Sequence, residues 1–368
     1  MLGSRFFRKY LLPGFIFQSV VIAGGYGTGR ELVEFFLSFG PLGGLLAMLL
    51  VSMVIWSAVA AASYEFARVF KAYDYRSFFT HLLGRGWILY EIFYFALLAI
   101  ILGVIAAAAG SILEETFALP YAVGVLGIMA AVGFLVFRGS PTIAKVLATW
   151  SVILYAVYIV VFVWSGVEFG PEIRAAFAGG VAEPGWSVGG IRYAAYNLAI
   201  IPAVFFTLRE VETRREAVAA GLLTGPIAII PALFFVIAMS AHYPAILERP
   251  VPANLVLEAL GSRTLQFTYQ IVLFGTLIET GTGLIHAVNE RIAGVYCEKG
   301  REMPKLLRPV TGTALLVAGA ALAGFGLIGL IARGYGTLTW CFLVVFVIPI
   351  LTRGVYLIRS RSRKAGPR

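Results

Sequence analysis

Three groups of polar residues stand inside stretches that are otherwise apolar, and each has the residue types to bind a solute or an ion. The first is GGYGTGRE, Gly24 to Glu31, with Glu34 one turn beyond Arg30. Glycine costs about 1 kcal/mol relative to alanine in a helix, so four in six residues favour an interruption. An interrupted helix exposes amides that suit an anion and carbonyls that suit a cation. The second group is AAYNLAIIPAVFF, Ala194 to Phe206, where Pro202 follows Asn197 by five residues. Proline is favoured at the start of a helix and costly inside one, so a new half-helix opening at Pro202 fits. The third is LFGTLIETGTGLIHAVNE, Leu273 to Glu290. Here Thr276, Glu279, Thr280, Gly283, His286 and Glu290 share one helical face, and a carboxylate among hydroxyls suits a cation or a proton. Plainer readings stand beside these: a small-residue packing face with an Arg30–Glu34 pair, an ordinary proline kink, and a structural Glu279 bonded to a neighbouring helix.

The elements that must carry these groups follow from composition. The 368 residues are 60% hydrophobic and 13% charged, with mean hydropathy +0.89. Soluble proteins run at roughly 45–50% apolar and about 25% charged, so a soluble enzyme, a disordered tail and a nucleic-acid module are excluded. Stretches long enough to cross hydrocarbon, about 20 residues each, lie near 10–37, 41–67, 86–112, 121–137, 142–165, 190–208, 217–240, 264–293, 309–331 and 335–358. They are helices 1 to 10 below. The first follows Arg5, Arg8 and Lys9 in the manner of a signal peptide, and is expected to be retained as a span.

Positive charge orients the chain. With the N-terminus inside, 23 of the 29 Lys and Arg fall on inner loops, and the outer ones are Arg174, Arg192, Arg249, Arg263 and Arg333. That bias places both termini in the cytoplasm of a prokaryotic inner membrane. It also accounts for the net charge of +10 without a nucleic-acid partner. Lipid and a small solute are the expected partners, and the oligomeric state is left open. Cys297 in a loop and Cys341 in a span do not suggest a disulfide, and 3 histidines make a His-rich metal site improbable.

Helices 1 and 6 each open a set of five spans, and an odd count inverts the second set against the first. Broken helices at matching places of inverted halves point to a secondary transporter with its site at the midplane. Residues 1–368 are thus expected to form one all-α transporter domain, with repeats at about 10–165 and 190–331, the second followed by helix 10 at 335–358.

The helix 1 stretch GGYGTGRE, with Phe35 and Phe36 beyond it, resembles the GAGFASGQE-plus-aromatics pattern of the YkvI-like amino acid permeases. These are a LeuT-fold branch of the amino acid–polyamine–organocation superfamily. The resemblance implies a bundle of helices 1, 2, 6 and 7 rocking against helices 3, 4, 8 and 9, with solute held where helices 1 and 6 unwind. It implies a candidate sodium site between Ala23–Gly24 and the helix 8 positions Thr276, Glu279 and Thr280. Glu279 stands where the sodium pattern has a hydroxyl, which keeps the proton as an alternative. Lys145 is the one match for a helix 5 lysine used by sodium-independent relatives, and it lies close to the cytoplasm. Tyr90 and Tyr94 look too shallow for the helix 3 tyrosine that covers substrate in many amino acid carriers.

The function expected is cation- or proton-coupled symport of a small zwitterionic or anionic solute, an amino acid or derivative. Gly25, Tyr26, Gly27, Thr28, Gly29, Arg30, Tyr196 and Asn197 would bind it, with its carboxylate at the restarted half of helix 1. Arg30 either contacts that carboxylate or gates with Glu34. The rival reading is a channel or solute-sensing receptor without coupled transport. An enzyme is not expected, because HExxH is absent, Asp74 is the sole aspartate and no Ser–His pair is evident. No cofactor is expected beyond a candidate sodium ion.

Overall fold

Hydrocarbon offers the backbone no hydrogen-bond partners, so each apolar run must close its own bonds as helix. The computed structural model describes residues 4–22, 24–138, 153, 156–180, 182–298 and 300–364, and no strand occurs among them. Helix 1 begins with Leu12–Val21 and continues in two short pieces, Gly24–Gly27 and Arg30–Phe35. Helix 2 is Gly40–Leu46 and Met53–Phe70 joined by a π-helical Ala47–Ser52, and helix 3 is Trp87–Phe117. Helix 4 is Tyr121–Arg138, and the described part of helix 5 is Ala156–Glu168. Helix 6 is Trp186–Leu198 plus Ile201–Glu210, bent by 61° at the expected place. Helices 7, 8 and 9 are Arg214–Ser240, Arg263–Glu298 and Leu307–Ala323, and helix 10 is Gly326–Arg361.

The chain is a helical membrane protein. Apolar side chains such as Leu126, Val163, Ile271, Val317 and Val344 are more than 60% exposed, which suits an acyl-chain surface and no aqueous one. Within the bundle, helix 7 packs along helices 1 and 2, and helix 6 along helix 2. Across from it, helix 3 packs on helices 4 and 9, and helix 4 on helix 8. Small residues set the closeness of these pairs. A Cβ at Gly221 would strike the Ala61 backbone of helix 2, and one at Gly124 the Ala109 carbonyl of helix 3.

The joint between helices 9 and 10 departs most from the sequence reading. It falls at Gly324–Phe325, with Gly326 at φ +71°, so Arg333 lies inside helix 10 and not in a loop. The run from 309 to 358 is apolar throughout, and hydropathy has no contrast with which to locate that joint. The linkers also hold short helices: Tyr75–Leu83, Gly170–Ala178, and the pair Ala245–Glu248 and Pro252–Ala259.

Candidate functional site

The glycine-rich stretch breaks helix 1 twice. Val21 ends the first piece, Gly24–Gly27 forms a single turn, and Gly29 at φ +80° precedes the restart at Arg30. That left-handed backbone is tolerated by glycine. Thr28 holds the second break together: its hydroxyl donates to the Gly25 carbonyl (2.9 Å) and accepts from the Arg30 amide (3.3 Å). The Arg30 amide, expected to face an anion, is therefore already capped. Ala23, one half of the candidate sodium pair, lies outside the described residues, as does Lys145.

The two broken helices meet through a residue missing from the expected site. Glu31 is 2% exposed, and its Oε2 accepts a 2.5 Å hydrogen bond from the Tyr196 hydroxyl. Gly25 makes this arrangement fit, because a Cβ there would fall on the Glu31 carboxylate. Tyr335 of helix 10 stacks on Tyr196 with ring centroids 4.6 Å apart. A cavity of about 30 Å³ adjoins the pair, lined among others by Val20, Leu97, Asn197 and Ile200. Asn197 donates from Nδ2 to the Tyr193 carbonyl (3.0 Å) in its own helix. The helix 6 break frees carbonyls as expected, yet that of Ala199 is taken by the Tyr90 hydroxyl at 2.7 Å. Tyr90 thus reaches the break from helix 3, deeper than its position along the chain suggests.

Arg30 turns away from this gap. Its guanidinium donates to the carbonyls of Leu247 (2.7 Å) and Arg249 (3.2 Å) and pairs with Glu34 at 3.1 Å. The same linker is fastened elsewhere: the Ala253 amide bonds the Thr28 carbonyl (3.0 Å), Asn254 bonds Glu115 of helix 3 (2.9 Å), and Gln270 of helix 8 bonds Asn254. These contacts fasten the linker over the end of the molecule opposite the termini. Of the two partners considered for Arg30, a solute carboxylate and Glu34, the structure shows Glu34, together with the linker carbonyls.

Tyr26 and Gly27 face helices 5 and 8. Tyr26 stacks on Tyr158, Tyr158 stacks on Tyr269, and the Tyr269 hydroxyl bonds the Gly27 carbonyl at 2.7 Å. A side chain at Gly27 would meet Leu273 and Tyr158, not the gap beside Asn197.

On helix 8, Thr276, Glu279, Thr280 and Gly283 line one cavity of about 320 Å³, as their spacing requires. Ser19, Val20 and Ile22 of helix 1, Tyr94 of helix 3 and Ala203 of helix 6 complete its wall. The cavity continues through Gly283 and Ala287, both exposed, towards the end that carries the termini. Val20 lines both this cavity and the small one beside Glu31. The Thr276 and Thr280 hydroxyls donate to carbonyls one turn back, at 3.0 and 2.9 Å, leaving lone pairs to accept. Glu279 has no cationic partner among the described residues.

Comparison with known proteins agrees with this architecture. The chain is 24% identical over 280 residues to the uncharacterized membrane protein YkvI of Bacillus subtilis, covering 76% of this chain and 79% of YkvI. YkvI is a homologue. The Eremococcus coleocola manganese transporter, solved with an aromatic bis-isothiourea substituted compound, superposes with TM-score 0.56 at 15% identity over 98% of this chain and 88% of that one. A mutant form of the same transporter gives TM-score 0.54 over the same shares at the same identity. The chain has a transporter fold. No protein-family model matches it.

Proposed function

We propose that the protein is a coupled secondary transporter of a small zwitterionic solute, an amino acid or derivative, working by alternating access between inverted repeats. The observation that carries this reading is the contrast between the two approaches to the helix breaks. A cavity of about 320 Å³ approaches them from the termini side, while Arg30, Thr28, Glu115 and Gln270 fasten a linker over the other side. A cavity on one side and a fastened linker on the other suit a carrier, and favour transport over a channel.

The gap itself narrows the solute. Its most buried ionisable group is an acid, Glu31, and the nearby cation Arg30 is committed to the linker. With Glu31 ionised, a purely anionic solute would meet repulsion there, whereas an ammonium beside Asn197 and Glu31 would not. No group of three or more His, Cys, Asp or Glu able to hold a metal occurs among the described residues, so the cargo of the manganese transporter is not carried over. Glu279, in the wider cavity beside Thr276 and Thr280, is the proposed entry point for the coupling cation or proton. The positive-inside bias supports an inner membrane setting with both termini cytoplasmic.

The test is counterflow. Purified protein in liposomes preloaded with single unlabelled amino acids should take up the same labelled amino acid transiently above its equilibrium level. Uptake that only relaxes to equilibrium for every amino acid offered would indicate a channel or receptor instead.

A further inference from the structure

We infer that Glu31 carries a proton in the conformation seen here, and that the Glu31–Tyr196 pair is a proton site of the protein. A bare carboxylate at membrane depth is costly unless it is paired, hydrated or protonated. Pairing is absent. From its own helix, Arg30 points to Leu247, Arg249 and Glu34, and Glu34 is held by Arg30. From helix 6, Tyr193 and Tyr196 face it, and Tyr196 is the donor. The helix 6 cation nearest in sequence, Arg192, lies over the Phe35 ring and donates to the Ala332 carbonyl. From helix 10 comes Tyr335, and helix 3 presents Leu97 and Ile101. Glu279 lies in the other cavity.

Hydration is slight, since Glu31 is almost fully buried and the adjoining cavity, about 30 Å³, is walled mainly by Val20, Val21, Leu97, Ile101 and Ile200. A sodium ion would need several oxygen ligands gathered around it, and five of the nine residues lining this cavity are aliphatic. A proton needs none of these. Gly25 then has a purpose beyond flexibility, because only a residue without Cβ lets the acid fold back against the turn.

The step is a proton transfer. When helix 1 or Val20 shifts and water from the larger cavity reaches Glu31, its O–H bond breaks and the proton leaves on that water. The remaining carboxylate keeps the Tyr196 hydrogen bond and gains a charge that favours an ammonium. Proton and zwitterionic solute then compete for one acid, which makes the coupling an exchange in place of the symport expected from sequence. That transport role rests on the proposed function; the protonation does not.

Infrared difference spectroscopy tests it directly on the full-length protein in lipid at neutral pH, first without sodium. The carbonyl stretch of a protonated carboxylic acid should be present, should be lost in Glu31→Gln, and should move in Tyr196→Phe and Glu31→Asp. Glu279→Gln should leave that component in place. Melting curves establish that each variant is folded, and the Tyr196→Phe shift serves if Glu31→Gln is not. A band untouched by the folded Glu31 and Tyr196 variants overturns the proposal, as does a band that disappears when sodium is added. Failure of wild-type counterflow would instead remove the transport reading and leave the band to decide the proton.

Discussion

The hydroxyl of Tyr196 lies 2.5 Å from the carboxylate of Glu31, and this one hydrogen bond joins the interrupted parts of helices 1 and 6. Both residues are buried, and Tyr335 backs the ring. The pair ties the geometry of one half of the chain to that of the other.

Removing the donor leaves a buried acid without its partner. Tyr196→Phe should therefore destabilise the protein by about 1–3 kcal/mol, the usual range for an unsatisfied buried polar group. Thermal melting in a fixed detergent reads it. A melting curve identical to wild type would mean that the bond contributes nothing to the fold.

Gly25→Ala should be destabilising by about 1–3 kcal/mol through overpacking, because the new methyl falls on the Glu31 carboxylate. Glu31→Ala in the same chain should recover part of that loss. A double-mutant cycle without coupling would show that the two residues do not compete for space.

Arg30→Gln removes the guanidinium that fastens Leu247, Arg249 and Glu34. Transport should fall while solute affinity, measured by ligand-induced thermal shift, stays near that of wild type. A matching loss of affinity would return Arg30 to the solute site.

Glu279→Gln neutralises the carboxylate of the larger cavity without changing its shape. Solute binding should persist, and the dependence of uptake on sodium or pH should weaken. Unchanged ion dependence would make Glu279 a structural residue of helix 8.

Cys297 is exposed near the end of helix 8, and Cys341 lies within helix 10. In a Cys341→Ser background, a membrane-impermeant maleimide should label Cys297 in inverted vesicles and not in intact cells. Labelling from outside would reverse the orientation drawn from the charge bias.

What the sequence determined by itself is everything carried by local pattern. Apolar length marks the spans, glycine and Pro202 mark the two breaks, and three-and-four spacing places Thr276, Glu279, Thr280 and Gly283 on one wall. The Arg30–Glu34 pair was equally legible, being one turn apart. With Arg30 taken by Glu34, Glu31 is left as an intramembrane acid without a cation, a signal present in the sequence that the candidate site passed over. Only the tertiary structure decided where these groups point. Glu31 meets Tyr196 across 165 residues, Tyr90 reaches Ala199 across 109, and Arg30 finds carbonyls in a linker more than 200 residues away. Spacing along one helix defines a face but not the helix that covers it. Rotation about each helix axis is set by packing of small residues between neighbours, such as Gly221 on Ala61, and that packing joins segments far apart in the chain.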